Sequence, residues 1–173
     1  MNATPVLEIV GSGIERLPED MRSWLSEAEL VQLAVEASEL IGGRGLSSSG
    51  LRGNASDAAR QGMMLTLLTY CYLVGHWGSE EVEWAARNDP VVRGICNQTC
   101  VDMMAVRQFR RTNHRQIEQC LVHVLMIAIV RRIAPPNNGV PCAATPAETY
   151  ATAVSWARRK IDLAIMMDAA ASD

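Results

Sequence analysis

Three arginines set the chemical question. Arg107, Arg110 and Arg111 fall within about 100° of one another on a helix of 3.6 residues per turn. Asn113, His114 and Arg115 follow directly. Guanidinium forks suit phosphate oxygens, and Arg and Asn can pair bidentately with base edges, so double-stranded DNA is the expected partner. Arg87 and Arg93, on two short segments just upstream, are further candidates for contact. The same pattern also fits a solvated arginine face, or arginines paired with the acidic N-terminal helix.

Metal chemistry has less to work with. Cys96 and Cys100 are four apart, Cys120 and His123 three apart, and His114 lies between the pairs. Tetrahedral zinc can use such ligands. The Cys96–Cys100 spacing misses the common Cys-x-x-Cys knuckle, and Cys100, Cys120 and His123 fall in segments with strong core signals. No metal and no cofactor are expected. Catalysis is not expected either: the chain has no Gly-rich phosphate loop, no Gly-x-Ser-x-Gly and no His-Glu-x-x-His. Asp57, Asp89 and Asp102 read as helix caps or first-turn acids, not as converging metal ligands. No small-molecule substrate suggests itself.

The elements that must position the arginines read as helices. Residues 1–16 form an arm without clear periodicity, and Pro18 to Trp24 a short turn. Ser26 opens a helix with a Ser26-x-x-Glu29 capping box and a stripe of Leu30, Leu33, Ala34, Ala37, Leu40 and Ile41, ended by Gly42-Gly43. A Gly/Ser-rich loop covers 42–56. Asn54 or Ser56 then caps a helix that is apolar nearly all round and runs to Gly75, so it should lie at the centre. Ser79 caps a third helix, and Asp89-Pro90 opens a short fourth. Thr99 starts the arginine helix, with Val101, Ala105 and Phe109 facing the core. Residues 112–114 are a break, and 115–133 form another helix, with Ile117, Leu121, Val124, Leu125, Ala128 and Ile129 as its apolar face. After a proline-rich linker at 134–145, Thr145-Pro146-x-Glu148 starts the last helix, with Tyr150, Val154, Ala157, Ile161 and Ile165 as its stripe. The three segments at roughly 80–88, 90–96 and 100–111 could form a helix-turn-helix-like centre, the last entering the major groove. The expectation is an all-α bundle of six or seven helices: an arm (1–16), a helical domain (17–133), a linker (134–145) and a C-terminal helix (146–173) docked on the core or on a partner.

Composition agrees. Of 173 residues, 49% are hydrophobic and only 5% aromatic, which favours helices over a β-sandwich. No apolar run is long enough to span a membrane, and the N-terminus lacks the basic-then-apolar pattern of an export signal. With no export signal, five cysteines point to reduced thiols and a cytoplasmic protein. The net charge of −3 conceals an asymmetry. Residues 1–40 carry eight acids against Arg16 and Arg22, while residues 87–132 carry eight arginines against Asp89, Asp102 and Glu118. Local charge decides what a surface attracts. Lys160 is the one lysine among 16 basic residues, a usage that codon composition alone can produce.

The order of these segments resembles the N-terminal helical domain of bacterial DDE-class insertion-sequence transposases. The matching pieces are Leu67 to Gly75, Gly78-Ser79-Glu80-Glu81-Val82-Glu83, Asp89 to Arg93, and Asp102 to Arg111. Leu17-Pro18-Glu19-Asp20, through Trp24-Leu25 to Leu40, is similar to that family's opening segment. The likeness covers about residues 17–132. It departs at Glu81, where the family has Arg, and at Val92, where Phe or Tyr is usual. The family continues into a nuclease-like domain whose first catalytic Asp soon follows the helical domain; here that place holds the 134–145 linker, without Asp. The resemblance therefore implies a non-catalytic, transposase-derived DNA-binding or regulatory protein. The alternative is a protein–protein interaction or homo-oligomerisation module without DNA binding.

Overall fold

The computed structural model describes residues 17–46, 55–97, 99–133 and 145–171. After a 3₁₀ turn at Met21–Ser23 come α1 (Glu27–Leu46), α2 (Ala55–Leu73), α3 (Ser79–Asn88), α4 (Pro90–Cys96), α5 (Met103–Ile133) and α6 (Pro146–Ala170). Six α-helices and no strand among the described residues give the expected all-α fold. None of these helices is long and apolar enough to cross a membrane. The arm at 1–16, the Asn54 cap, the loop residues 47–54 and the linker residues 134–144 lie outside the described residues.

The near-continuous apolar character of α2 places it at the centre. Every residue from Met64 to Val74 is buried. α1, α4 and α5 pack around it. It ends at Gly75, whose φ of +90° closes the helix in a left-handed turn while the His76 N–H donates back to the Cys71 carbonyl at 2.8 Å. α1 begins with the anticipated box: Ser26 N and Oγ donate to Glu29 Oε2 at 2.9 and 2.7 Å. It does not stop at Gly42-Gly43, however, but runs to Leu46. Gly42 lies buried where α1 packs on α2, and a Cβ there would meet the Leu65 side chain at 3.4 Å, an ordinary contact, so this glycine continues the helix and makes no turn.

Three other starts and stops differ from the sequence reading. Gly78, not Ser79, is the N-cap of α3, and Glu81 accepts from the N–H groups of Trp77 and Gly78 at 2.9 and 3.2 Å. α5 starts at Met103, not Thr99. Its first turn is capped by Asp102, which accepts from Ala105 N at 2.7 Å, and by Glu83 of α3, which accepts from Met103 N at 3.0 Å. The expected break at 112–114 is a kink at Asn113 (φ −123°, ψ 19°) inside one long helix. Asp89 caps α4 as expected, accepting from Val91 and Val92 N at 2.8 and 3.1 Å.

Two sets of bonds fix the helix directions around α5. Gln61 pairs with Gln116 and Tyr72 with Arg110, so α2 and α5 run antiparallel. Arg158 pairs with Glu118 and Asp168 with Arg110, so α6 also runs antiparallel to α5. The capping box at Thr145 and Glu148 starts α6 as read from sequence. Its buried stripe is different: Ala153, Trp156, Ala157, Lys160, Ile161 and Ala164 face inward, while Tyr150 and Ile165 are exposed.

Candidate nucleic-acid interface

Arg110 does not stand on a surface. It is 2% exposed, on the same inward row as Val106 and Ile117. Burying a guanidinium without partners would be prohibitive, so its bonds explain its place. Its Nε donates to Tyr72 Oη at 2.5 Å, and its Nη2 to the Trp77 carbonyl at 2.8 Å. Its Nη1 donates to the Asp168 carboxylate and reaches the Ala164 carbonyl at 3.3 Å. Asp168 also accepts from Ser79 N and Oγ at 2.9 and 2.8 Å. One arginine thereby ties the end of α2, the turn after it, the start of α3 and the end of α6 to α5. Burial raises the Tyr72 phenol above its usual range, against the pull of Arg110, so it remains neutral and accepts the guanidinium bond.

The other expected contacts divide into three groups. Arg107 turns toward the same clasp, with Nε 3.8 Å from Asp168 and its side chain 15% exposed. Arg111, His114 and Arg115 are exposed on the outer side of α5, with Gln108 and Gln119 beside them. Asn113 is half-buried at the kink, its Nδ2 donating to the Phe109 carbonyl at 3.1 Å and to Thr112 Oγ1 at 2.8 Å. Arg87 and Arg93 are exposed at the ends of α3 and α4, and line a cleft of about 950 Å³ with Asn97, Thr99 and Cys100. Arg87 is ion-paired with Glu83 one turn earlier. The contiguous face of Arg107, Arg110 and Arg111 is therefore corrected to a split one. Arg110 points in, Arg107 lies at the seam with α6, and Arg111 and Arg115 point out. Phe109 packs against the core as read from sequence, and its half-buried ring also borders a groove.

That groove lies between α2 and α5. It encloses about 330 Å³ and is lined by Asp57, Arg60, Gln61, Met64, Ala105, Gln108, Phe109, Thr112 and Asn113. Arg60 is exposed. No group of three or more metal-ligating side chains converges among the described residues. Cys71, Cys96 and Cys120 are buried, while Cys100, read as a core residue, is exposed ahead of α5. A second buried cation sits beside the clasp. Lys160 Nζ lies 3.9 Å from the Trp77 ring centroid and 3.1 Å from Glu19 Oε1.

Sequence reasoning missed Asp168, Tyr72 and Trp77 as partners of Arg110 and Ser79 as a donor to Asp168, and missed Arg60 and Gln61. Two signals could have found the clasp. Arg110 is four residues from Val106 and seven from Ile117, which is core spacing. Asp168 is the lone acid in the apolar run Leu163–Ala171, where a charge calls for a buried partner. No family model, curated protein or solved structure matches the chain.

Proposed function

We propose that the protein is a non-catalytic DNA-binding module, regulatory in role and derived from the helical domain of a DDE-class transposase. The observation that carries this reading is the outer side of α5. Its exposed positions from 104 to 119 include Arg111, His114, Arg115, Gln108 and Gln119, and no carboxylate. Cations and amides along one exposed helical side suit phosphates and base edges together. Most carboxylates near it have other work: Asp168 closes the clasp, Asp102 and Glu83 cap α5, and Glu118 pairs with Arg158, while Asp57 lies across the groove on α2. The order and spacing of the segments from Leu17 to Arg132 support the transposase ancestry.

Changing Arg111 and Arg115 together to Ala should weaken duplex binding. It should also flatten the salt dependence of log affinity by about one unit per lost phosphate contact. Equal affinity and slope in wild type and variant would rule this face out.

A second reading, a protein partner or a second copy of the chain, draws on two observations. Arg87, Arg107, Arg110, Arg131 and Arg158 are each engaged by a carboxylate of the same chain. Trp84 and Met104 are 60% and 62% exposed, on helices joined by the Glu83–Met103 bond. Large exposed apolar side chains of this kind suit protein contact. Sedimentation of the chain at micromolar concentration separates the two readings: a stable dimer that Trp84→Ala dissolves supports the partner reading.

A further inference from the structure

From the groove between α2 and α5 we infer a pocket for a single unpaired nucleobase, beside the proposed phosphate-binding side of α5. The inference rests on the DNA reading and names what the site would read.

The groove combines the parts such a ligand needs. Its volume of about 330 Å³ is at the small end of the roughly 300–1,000 Å³ that holds small molecules. The half-buried Phe109, backed by the buried Met64, supplies an apolar wall on which the π-face of any base can stack. Polar groups stand around it. Asn113 spends its Nδ2 on Phe109 and Thr112, which leaves its Oδ1 as an acceptor. Gln61 donates its Nε2 to Gln116 at 3.3 Å and keeps its own carbonyl oxygen. Gln108 offers a complete amide, and Asp57 can accept from an exocyclic amine. Arg60 is exposed in the lining, and among the described residues no carboxylate is ion-paired with it, so it can take the phosphate attached to the base.

The geometry suits a base outside a helix better than one inside a duplex. A concave site between two packed helices cannot receive a stacked pair, while an unpaired base offers both its face and its Watson–Crick edge. The kink at Asn113 falls at this groove, where Thr112 Oγ1 bonds the Gln108 and Phe109 carbonyls at 3.1 and 3.2 Å. The bend thereby sets the Asn113 amide among the lining groups rather than continuing a regular helical row.

The test compares three duplexes that differ only at one end: blunt, one unpaired nucleotide, and the same nucleotide without its base. With the full chain, the base-bearing end should bind about tenfold more tightly than the abasic one. Changing Gln61 of α2 to Ala should narrow that preference and leave the salt slope unchanged. The Arg111/Arg115 double variant should weaken all three and keep their ratio. Equal affinity for base-bearing and abasic ends, with DNA still bound, would overturn the pocket and spare the DNA reading. If no DNA binds, the DNA reading fails. The pocket then stands or falls on free nucleoside monophosphates, whose binding would shift the Gln61 and Gln108 side-chain amide resonances in wild-type protein. Silence there would overturn it.

Discussion

Arg110 is expected to be the residue whose loss the fold tolerates least. Arg110→Ala would take the buried guanidinium from Asp168, which keeps Ser79 and Arg107, and would leave the carbonyls of Trp77 and Ala164 without their donor, at a cost of about 3–5 kcal/mol. Urea unfolding measures it. Arg110→Lys should not restore stability, because an ammonium cannot reach four acceptors in one plane. Arg110→Met with Asp168→Leu should cost less than the two single changes added together, as the two charges are lost as a pair, while Ser79 still loses its acceptor. The buried thiols set a pH limit. Burial pushes the Cys120 thiol up to about 12, and Cys71 is raised in the same way. In the unfolded chain a thiol ionises near about 8.5. The unfolded state therefore loses these protons first, so stability is full below about pH 8.5 and declines from there toward about pH 12. Chemical denaturation midpoints across this range measure the decline. Cys120→Ala should flatten it, and a midpoint independent of pH would contradict it.

At the level of helices, the starts written in local residues were legible and the long-range choices were not. Ser26 with Glu29, Asp89-Pro90, and Thr145 with Glu148 all form the caps their spacing implies, because each needs only a side chain reaching a backbone group three residues away. Asp89→Ala should accordingly cost about 0.5–2 kcal/mol, read from thermal unfolding. Gly42, Ser79 and Arg110 misled for one shared reason. Each is shaped by another helix: Leu65 against Gly42, and Asp168 against both Ser79 and Arg110. The stripe of α6 was misplaced likewise, since Trp156 bonds the Pro18 carbonyl at 3.3 Å and Lys160 bonds Glu19, partners more than 130 residues away. Gly62, in the middle of α2, offers the opposite case. A Cβ there meets nothing within 4 Å, so Gly62→Ala should stabilise the protein by about 0.5–1 kcal/mol. Loss of stability on that change would mean that α2 is constrained in a way its surroundings do not show.

For the molecule as a whole, the charge asymmetry of the sequence becomes a partition between inside, seam and surface. The acidic α1 bonds Arg131 through Glu29, and carries Glu36 and Glu39 outward. Arg107 and Arg110 are consumed in holding α6, while Arg111 and Arg115 are left on the exposed side of α5. The all-α fold was legible from apolar periodicity. The candidate site was legible only in part, because periodicity locates a face without saying which of its charges another helix will claim. Whether the exposed side of α5 holds DNA is decided by the affinity of the unmodified chain for duplex DNA across salt concentrations. Measurable binding is expected at low salt, with a linear fall of log affinity with log salt and a slope of about −2 for contacts by Arg111 and Arg115. No affinity at low salt, or binding indifferent to salt, would contradict it.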